Sequence, residues 1–180
     1  MIVLASDSPR RRELLATLVG EFHTEPSRVD ERVPYKAPWR MVEAIAEKKC
    51  DAVAARHPED VVIGADTIVV FDGRVLGKPK DAANAVEMLK TLSGKRHTVY
   101  TGVCVNVRGD KKIWHDISHV FMQEMSDEFI ARYVEGGSPL DKAGAYGVQD
   151  EGTVNRYDGE YANIMGLPLE RLRAVLREAE

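Results

Sequence analysis

The run VVIGADTIVVF from Val61 to Phe71 constrains this chain more than any other feature. Its β-branched residues specify a central strand rather than a helix. Asp72-Gly73 then marks a hairpin turn, and Arg74-Val75-Leu76 reads as the returning strand. Ile2-Val3-Leu4-Ala5 is a second buried strand. Ser8-Pro9 opens a helix to about Val19, with serine as cap, proline in the first turn, and Leu14, Leu15 and Leu18 on its apolar face. A second helix, about Trp39 to Arg56, sets Val42, Ile45, Ala46 and Lys49 along one face. Further helices run from the cap Asp81 to about Leu92, from Ser126 to about Glu135, and onward from Pro168 with Leu169, Leu172, Val175 and Leu176 as its seam. His97 to Val107 and Lys112 to Gln123 alternate as two long strands joined at Arg108-Gly109-Asp110. Residues 136–166 are rich in glycine and read as loops and short strands. These elements specify one α/β domain with a mixed sheet.

Composition excludes several classes. A chain of 180 residues hides roughly 70% of its extended surface on folding, enough for one domain. Two compact sub-lobes fit within that size. A hydrophobic share of 44% and a charged share of 30% exclude a wholly disordered chain. No apolar stretch approaches the ~20 residues that span a bilayer. In MIVLASDSPRRR the basic cluster follows the apolar run, the reverse of a signal peptide, so a cytoplasmic protein without a membrane partner is expected. The net charge of −4 is spread evenly, which argues against binding nucleic acid. Cys50 and Cys104 stand in no ligand spacing and read as buried free thiols. GxxxxGK[ST], HExxH and GxSxG are all missing, as is a GxGxxG after the first strand. His115 and His119 fall in a strand, where solvated side chains are the better reading than metal ligands.

Several residues sit where folding alone would not put them. Arg10-Arg11-Arg12 occupies the first turn of a helix, where the macrodipole disfavours cations by ~0.3–1 kcal/mol each. A bound polyanion reverses that sign, with Ser6 and Ser8 adding hydroxyls; a solvated basic turn is the alternative. Asp66 lies inside an apolar strand, where a carboxylate needs a cation, a metal or hydrogen-bond donors. Gly64 beside it allows a bulge or the close approach of a ligand. Lys49 shares a helix face with Ile45, which points to an inward partner. Asp30-Glu31 in a loop and Lys78-Pro79 after a hairpin mean little alone. Gln149 ends GAYGVQ, a segment without amphipathic logic. Together, carboxylates, lysines, arginines and an amide suit metal-assisted attack on a phosphoanhydride.

The same segments resemble the Maf family of nucleotide pyrophosphatases. The matching pieces are LASDSPRRREL (4–14), DE (30–31), AEKK (46–49), GADTIV (64–69), GKP (77–79), LSGKRHTVYTGV (92–103), DKAGAYGVQ (141–149) and NIMGLPL (163–169), in colinear order. The resemblance implies that residues 1–180 form a single Maf-like domain. Its fold would be two-lobed α/β, with a mixed, elongated sheet flanked by helices, inosine-triphosphate-pyrophosphatase-like, and the active site in the cleft. It implies hydrolysis of a nucleoside triphosphate to the monophosphate and pyrophosphate with a divalent cation (Mg, Mn or Co). By motif, Asp66 would be the proton acceptor, and Arg10, Thr67 and Gln149 the base-specificity positions. Arg11, Glu31, Lys49 and Lys78 match other polar site positions with Ser8 beside them, and Asp66 and Glu31 are the candidate metal ligands. GADT with YGVQ resembles the branch acting on dTTP and UTP, including clearance of modified pyrimidine nucleotides. Broader or purine substrates, or a binding role in septum formation, are the alternatives. A homodimer is expected from the resemblance alone.

Overall fold

In the computed structural model, which describes residues 1–179, the long apolar run becomes strand β3 (Val61–Phe71) of a seven-stranded mixed sheet. The other strands are β1 (Ile2–Leu4), β2 (His23–Thr24), β4 (Arg74–Leu76), β5 (Arg96–Val107), β6 (Asp110–Met122) and β7 (Val154–Asp158). Their order is β2-β1-β3-β5-β6-β7, with β4 hydrogen-bonded to β3. β1 runs parallel to both β2 and β3, whereas β4 is antiparallel to β3 and β7 to β6. Helices α1 (Pro9–Ala16), α2 (Pro38–Ala54), α3 (Ala82–Leu92), α4 (Asp127–Glu135), α5 (Tyr161–Met165) and α6 (Leu169–Glu178) flank it. The expected mixed α/β architecture is present.

The turn chemistry acts as the sequence specifies. Asp72 and Gly73 both take positive φ, 49° and 71°, the pairing a two-residue hairpin needs. Helix α1 stops at Ala16, short of the expected Val19, because the Thr17 hydroxyl donates to the Leu14 carbonyl at 2.7 Å and closes the last turn. Residues 136–166, expected as loops and short strands, also hold two 3₁₀ turns and the short α5.

The chain divides into two compact units. The first comprises Met1–Thr67, Tyr100–Asp116 and the residues from Glu160 onward. In it β1 and the adjoining parts of β3 and β5 are buried on both faces, and their period of two sorts the side chains. Leu4, Ile63, Ala65, Val103 and Val105 pack with Leu15 of α1 and with Leu172, Val175 and Leu176 of α6. Val3, Ala5, Val62 and Cys104 face the other way, against Ala46, Cys50 and Val53 of α2. Cys50 and Cys104 are buried free thiols, and the hydrogen bond with Cys50, followed by burial, pushes the Cys104 thiol up in pKa.

The second unit comprises Ile68–Val99 and Ile117–Gly159. In it the fully buried His97 ring meets the Tyr146 hydroxyl at 2.6 Å. Burial pulls His97 down from 6.5 to about 4. The unfolded chain therefore binds the extra proton first as the solution is acidified. The stabilisation is complete above pH 6.5 and is lost as pH falls towards 4, by about 3 kcal/mol at full effect. Thermal unfolding at pH 7 and pH 4.5 checks this against His97→Gln, which offers Tyr146 a partner that does not titrate. The wild type loses more Tm than the variant on acidification; equal losses would clear His97 of the effect.

Candidate active site

The alternation of β3 continues into its polar residues. Val62, Gly64 and Asp66 share the face towards α2, whereas Ile63, Ala65 and Thr67 share the opposite one. A Cβ at Gly64 would lie 2.3 Å from the Ala46 carbonyl oxygen, and one at Gly102 of β5 would lie 2.3 Å from Val42. The close approach expected at Gly64 is therefore made by the backbone of α2 and not by a ligand.

That approach brings Lys49 to Asp66. The Lys49 ammonium donates to Asp66 Oδ1 at 2.8 Å and pairs with Glu31 Oε1 at 2.9 Å. Lys49 and Asp66 are each about one-tenth exposed, while the Glu31 side chain is 57% exposed. The neighbouring Lys48 donates to the carbonyls of Asp30 and Arg32 at 2.8 and 3.0 Å, fixing the backbone either side of Glu31. Arg32 doubly engages the Asp30 carboxylate, which holds that carboxyl below its ordinary pKa. Asp66 Oδ2 accepts from no donor among the described residues, so one oxygen is oriented by Lys49 and the other is available.

On the opposite face, Arg11 forms a second cluster. Its Nε donates to the Gly166 carbonyl at 2.8 Å, its Nη1 to Ser6 Oγ at 3.4 Å and its Nη2 to Thr67 Oγ1 at 3.1 Å. Burial lowers the guanidinium pKa, and the charges of Asp66, Glu31 and Asp7 act in the opposite sense to burial and to Arg10. Thr67 and Thr101 hydroxyls lie 2.9 Å apart, and Thr101 donates to the Asn163 carbonyl at 2.9 Å. A carbonyl only accepts and a guanidinium only donates, so the protons run from Arg11 to Thr67 to Thr101 to Asn163. The Thr67 proton is thereby committed, and Thr67 can meet a ligand only as an acceptor.

The expected site residues thus fall into groups. Asp66, Lys49 and Glu31 come together, and Arg11 joins Thr67. Ser8 is the cap of α1, its Oγ accepting from the Arg11 amide at 3.5 Å. Arg10 sits half-buried in the first turn without an ion-pair or hydrogen-bond partner among the described residues. Lys78, exposed after β4, and Gln149, exposed in a turn, belong to the second unit. Thr101 and the Gly166 carbonyl were not marked by the sequence; only the pairing of β3 with β5 identifies Thr101. The two strand histidines are separately engaged, His115 with Glu43 at 2.7 Å and His119 with Thr98 at 3.2 Å.

Among the described residues no three His, Cys, Asp or Glu side chains cluster as a metal cage. Two carboxylates converging on one ammonium do fit a hard cation of the kind that takes one or two protein carboxylates and draws its other oxygens from substrate phosphates and water.

Residues 1–179 match the family described as Maf-like protein. The chain belongs to the Maf family. A Moorella thermoacetica relative named dTTP/UTP pyrophosphatase is 49% identical, over 97% of this chain and 93% of its own length. A Bacillus cytotoxicus relative of the same name is 45% identical, over 98% and 94%. Among solved structures, the Staphylococcus aureus Ham1 protein aligns over 99% of both chains with a TM-score of 0.55 at 15% identity. A Coxiella burnetii HAM1 protein aligns over 98% of both with a TM-score of 0.51, also at 15% identity. At that identity the Ham1 likeness establishes the fold alone, and it places this Maf chain in the same α/β architecture.

Proposed function

We propose that this Maf-family chain is a nucleoside triphosphate pyrophosphatase that hydrolyses dTTP and UTP to the monophosphate and pyrophosphate. The observation that carries the reading is Asp66, buried in β3 with one oxygen on Lys49 and the other available, in a chain whose full-length relatives bear that activity in their names. Asp66 accepts the proton of the attacking water, and Lys49, at 2.8 Å from Oδ1, holds its carboxylate turned. Lys49 also holds Glu31 beside it. Asp66 and Glu31 would hold a divalent cation, which when bound supplies positive charge to the phosphates and acidifies water. Arg10, in the first turn of α1, and Lys78 neutralise phosphate oxygens, while Arg11 fixes Thr67.

Base selection fits the same reading. Uracil and thymine present an N3–H between two carbonyls. Thr67, whose proton is spent on Thr101, offers only an acceptor, and the Gln149 amide offers one donor and one acceptor group. A site built on such bonds rejects a mismatched base because its own polar groups would be left unpaired. The reading takes the chain as one functional domain, cytoplasmic and homodimeric, with a nucleoside triphosphate and neither nucleic acid nor membrane as partner. No helix among the described residues is long and apolar enough to cross a bilayer.

A panel of nucleoside triphosphates with Mg²⁺, Mn²⁺ or Co²⁺, with products separated, tests it. dTTP and UTP are expected to lead, giving monophosphate and pyrophosphate. Orthophosphate with a diphosphate product would contradict it.

A further inference from the structure

Gln149 is exposed, and its side chain has no hydrogen-bond partner among the described residues. The turn that carries it is nevertheless heavily fixed. The Asp150 amide donates to the Gly147 carbonyl at 3.0 Å, closing the turn. Tyr133 of α4 donates its hydroxyl to Asp150 Oδ2 at 2.5 Å and accepts from the Gly147 amide at 3.0 Å. Ser138 Oγ donates to the same Asp150 oxygen at 3.1 Å. Lys142, buried, in turn donates to the Ser138 carbonyl at 2.6 Å. Thr153 Oγ1 reaches both the Gly147 and Asp150 carbonyls, at 3.1 and 2.7 Å.

Helix geometry explains why α4 can grip this segment. Phe129 and Tyr133 lie four residues apart, share a face, and stack with ring centroids 5.9 Å apart. A Cβ at Gly152 would lie 2.7 Å from the Phe129 ring, so the ring presses on the backbone just beyond the turn. At Gly147 a Cβ would lie 2.7 Å from Asp150 Oδ2 and 3.0 Å from Gln149 Oε1. The Gln149 amide oxygen and the Asp150 carboxylate therefore both fold back over Gly147. The Tyr133 and Ser138 hydroxyls, Asp150 Oδ2 and the Gly147 amide are spent inside the protein, and the Gln149 amide is not.

We propose that Tyr133, Ser138 and Asp150 are positioning residues that preset the Gln149 amide for the pyrimidine base. The proposal rests on the base-reading role given to Gln149 above. Its physical content is preorganisation: an exposed glutamine on a loose turn must be ordered by each substrate, and a fixed turn removes much of that cost.

The test compares wild type with Tyr133→Phe, Gln149→Ala and the double variant. Tyr133→Phe keeps the ring on Phe129 and deletes the hydroxyl that joins Asp150 to Gly147. Two constants are read, the KM for dTTP and the inhibition constant of inorganic tripolyphosphate, which carries phosphates without a base. Expected is a rise of about 3–10-fold in KM for dTTP with Tyr133→Phe, with kcat and the tripolyphosphate constant unmoved. No further rise is expected when Tyr133→Phe is added to Gln149→Ala. If both constants move together, or the effects of the two substitutions add, the turn has only a structural role and the proposal falls while base reading by Gln149 stands. If Gln149→Ala itself leaves the dTTP KM unchanged, base reading fails and takes the proposal with it. Should Tyr133→Phe not fold, Ser138→Ala, which removes the second donor to Asp150, carries the same comparison.

Discussion

Asp66→Asn is expected to lower dTTP turnover by about 10²–10⁴-fold, the range for loss of a general base. Asparagine keeps the shape of the side chain and can still accept from Lys49 at Oδ1. It loses the charge and the basic oxygen at Oδ2. Lys49 is not stranded, because Glu31 remains 2.9 Å away on the solvent side. That second partner separates this substitution from the usual breaking of a buried pair, which costs ~3–5 kcal/mol by leaving one charge unmatched. The variant is therefore expected to stay folded by circular dichroism and, on the proposed function, still to bind nucleotide by calorimetry through its cationic groups. Turnover above about a tenth of wild type falls well short of a general-base loss. It would pass the proton-acceptor role to Glu31, the other carboxylate on Lys49.

How far this site was legible depends on which interaction placed each residue. Lys49 and Asp66 stood out because each broke a local rule, a charge on an apolar helix face and a carboxylate in an apolar strand. Such violations are visible without knowing the partner, and each resolved the other. Thr67 is marked by motif and Arg11 also by its place in a basic first turn, but their meeting depends on strand alternation turning Asp66 towards α2 and its neighbour Thr67 towards α1. Thr101 broke no rule; its part in the proton chain exists only through the pairing of β3 with β5. Tyr133 and Asp150 break no local rule either, since their contact spans the irregular residues between them. Gly64 was noticed for the space it leaves, and the occupant of that space was misassigned. A sequence can announce a missing Cβ but not which backbone fills the gap.

That gap supports the second large prediction, Gly64→Ala. The added methyl carbon would meet the Ala46 carbonyl oxygen at 2.3 Å, the Cys50 amide nitrogen at 2.8 Å and Cys50 Cβ at 2.9 Å. Two of the three are backbone atoms of α2, so no rotamer change relieves the clash and the helix itself must lift. Gly102 on β5 faces the same helix, its Cβ position 2.3 Å from Val42, so the two glycines together set the height of α2 above the sheet. Overpacking of this kind costs about 1–3 kcal/mol and sometimes more. For a chain of this length a loss of ~3 kcal/mol lowers Tm by about 6–12 °C. Lifting α2 also carries Lys49 away from Asp66, so activity falls further than the loss of folded protein explains. Gly20→Ala is the control, because nothing lies within 4 Å of its Cβ position and it faces open space. Urea or thermal unfolding of the three proteins decides the matter. If Gly64→Ala unfolds with the same midpoint as Gly20→Ala, the contact between β3 and α2 does not position Lys49.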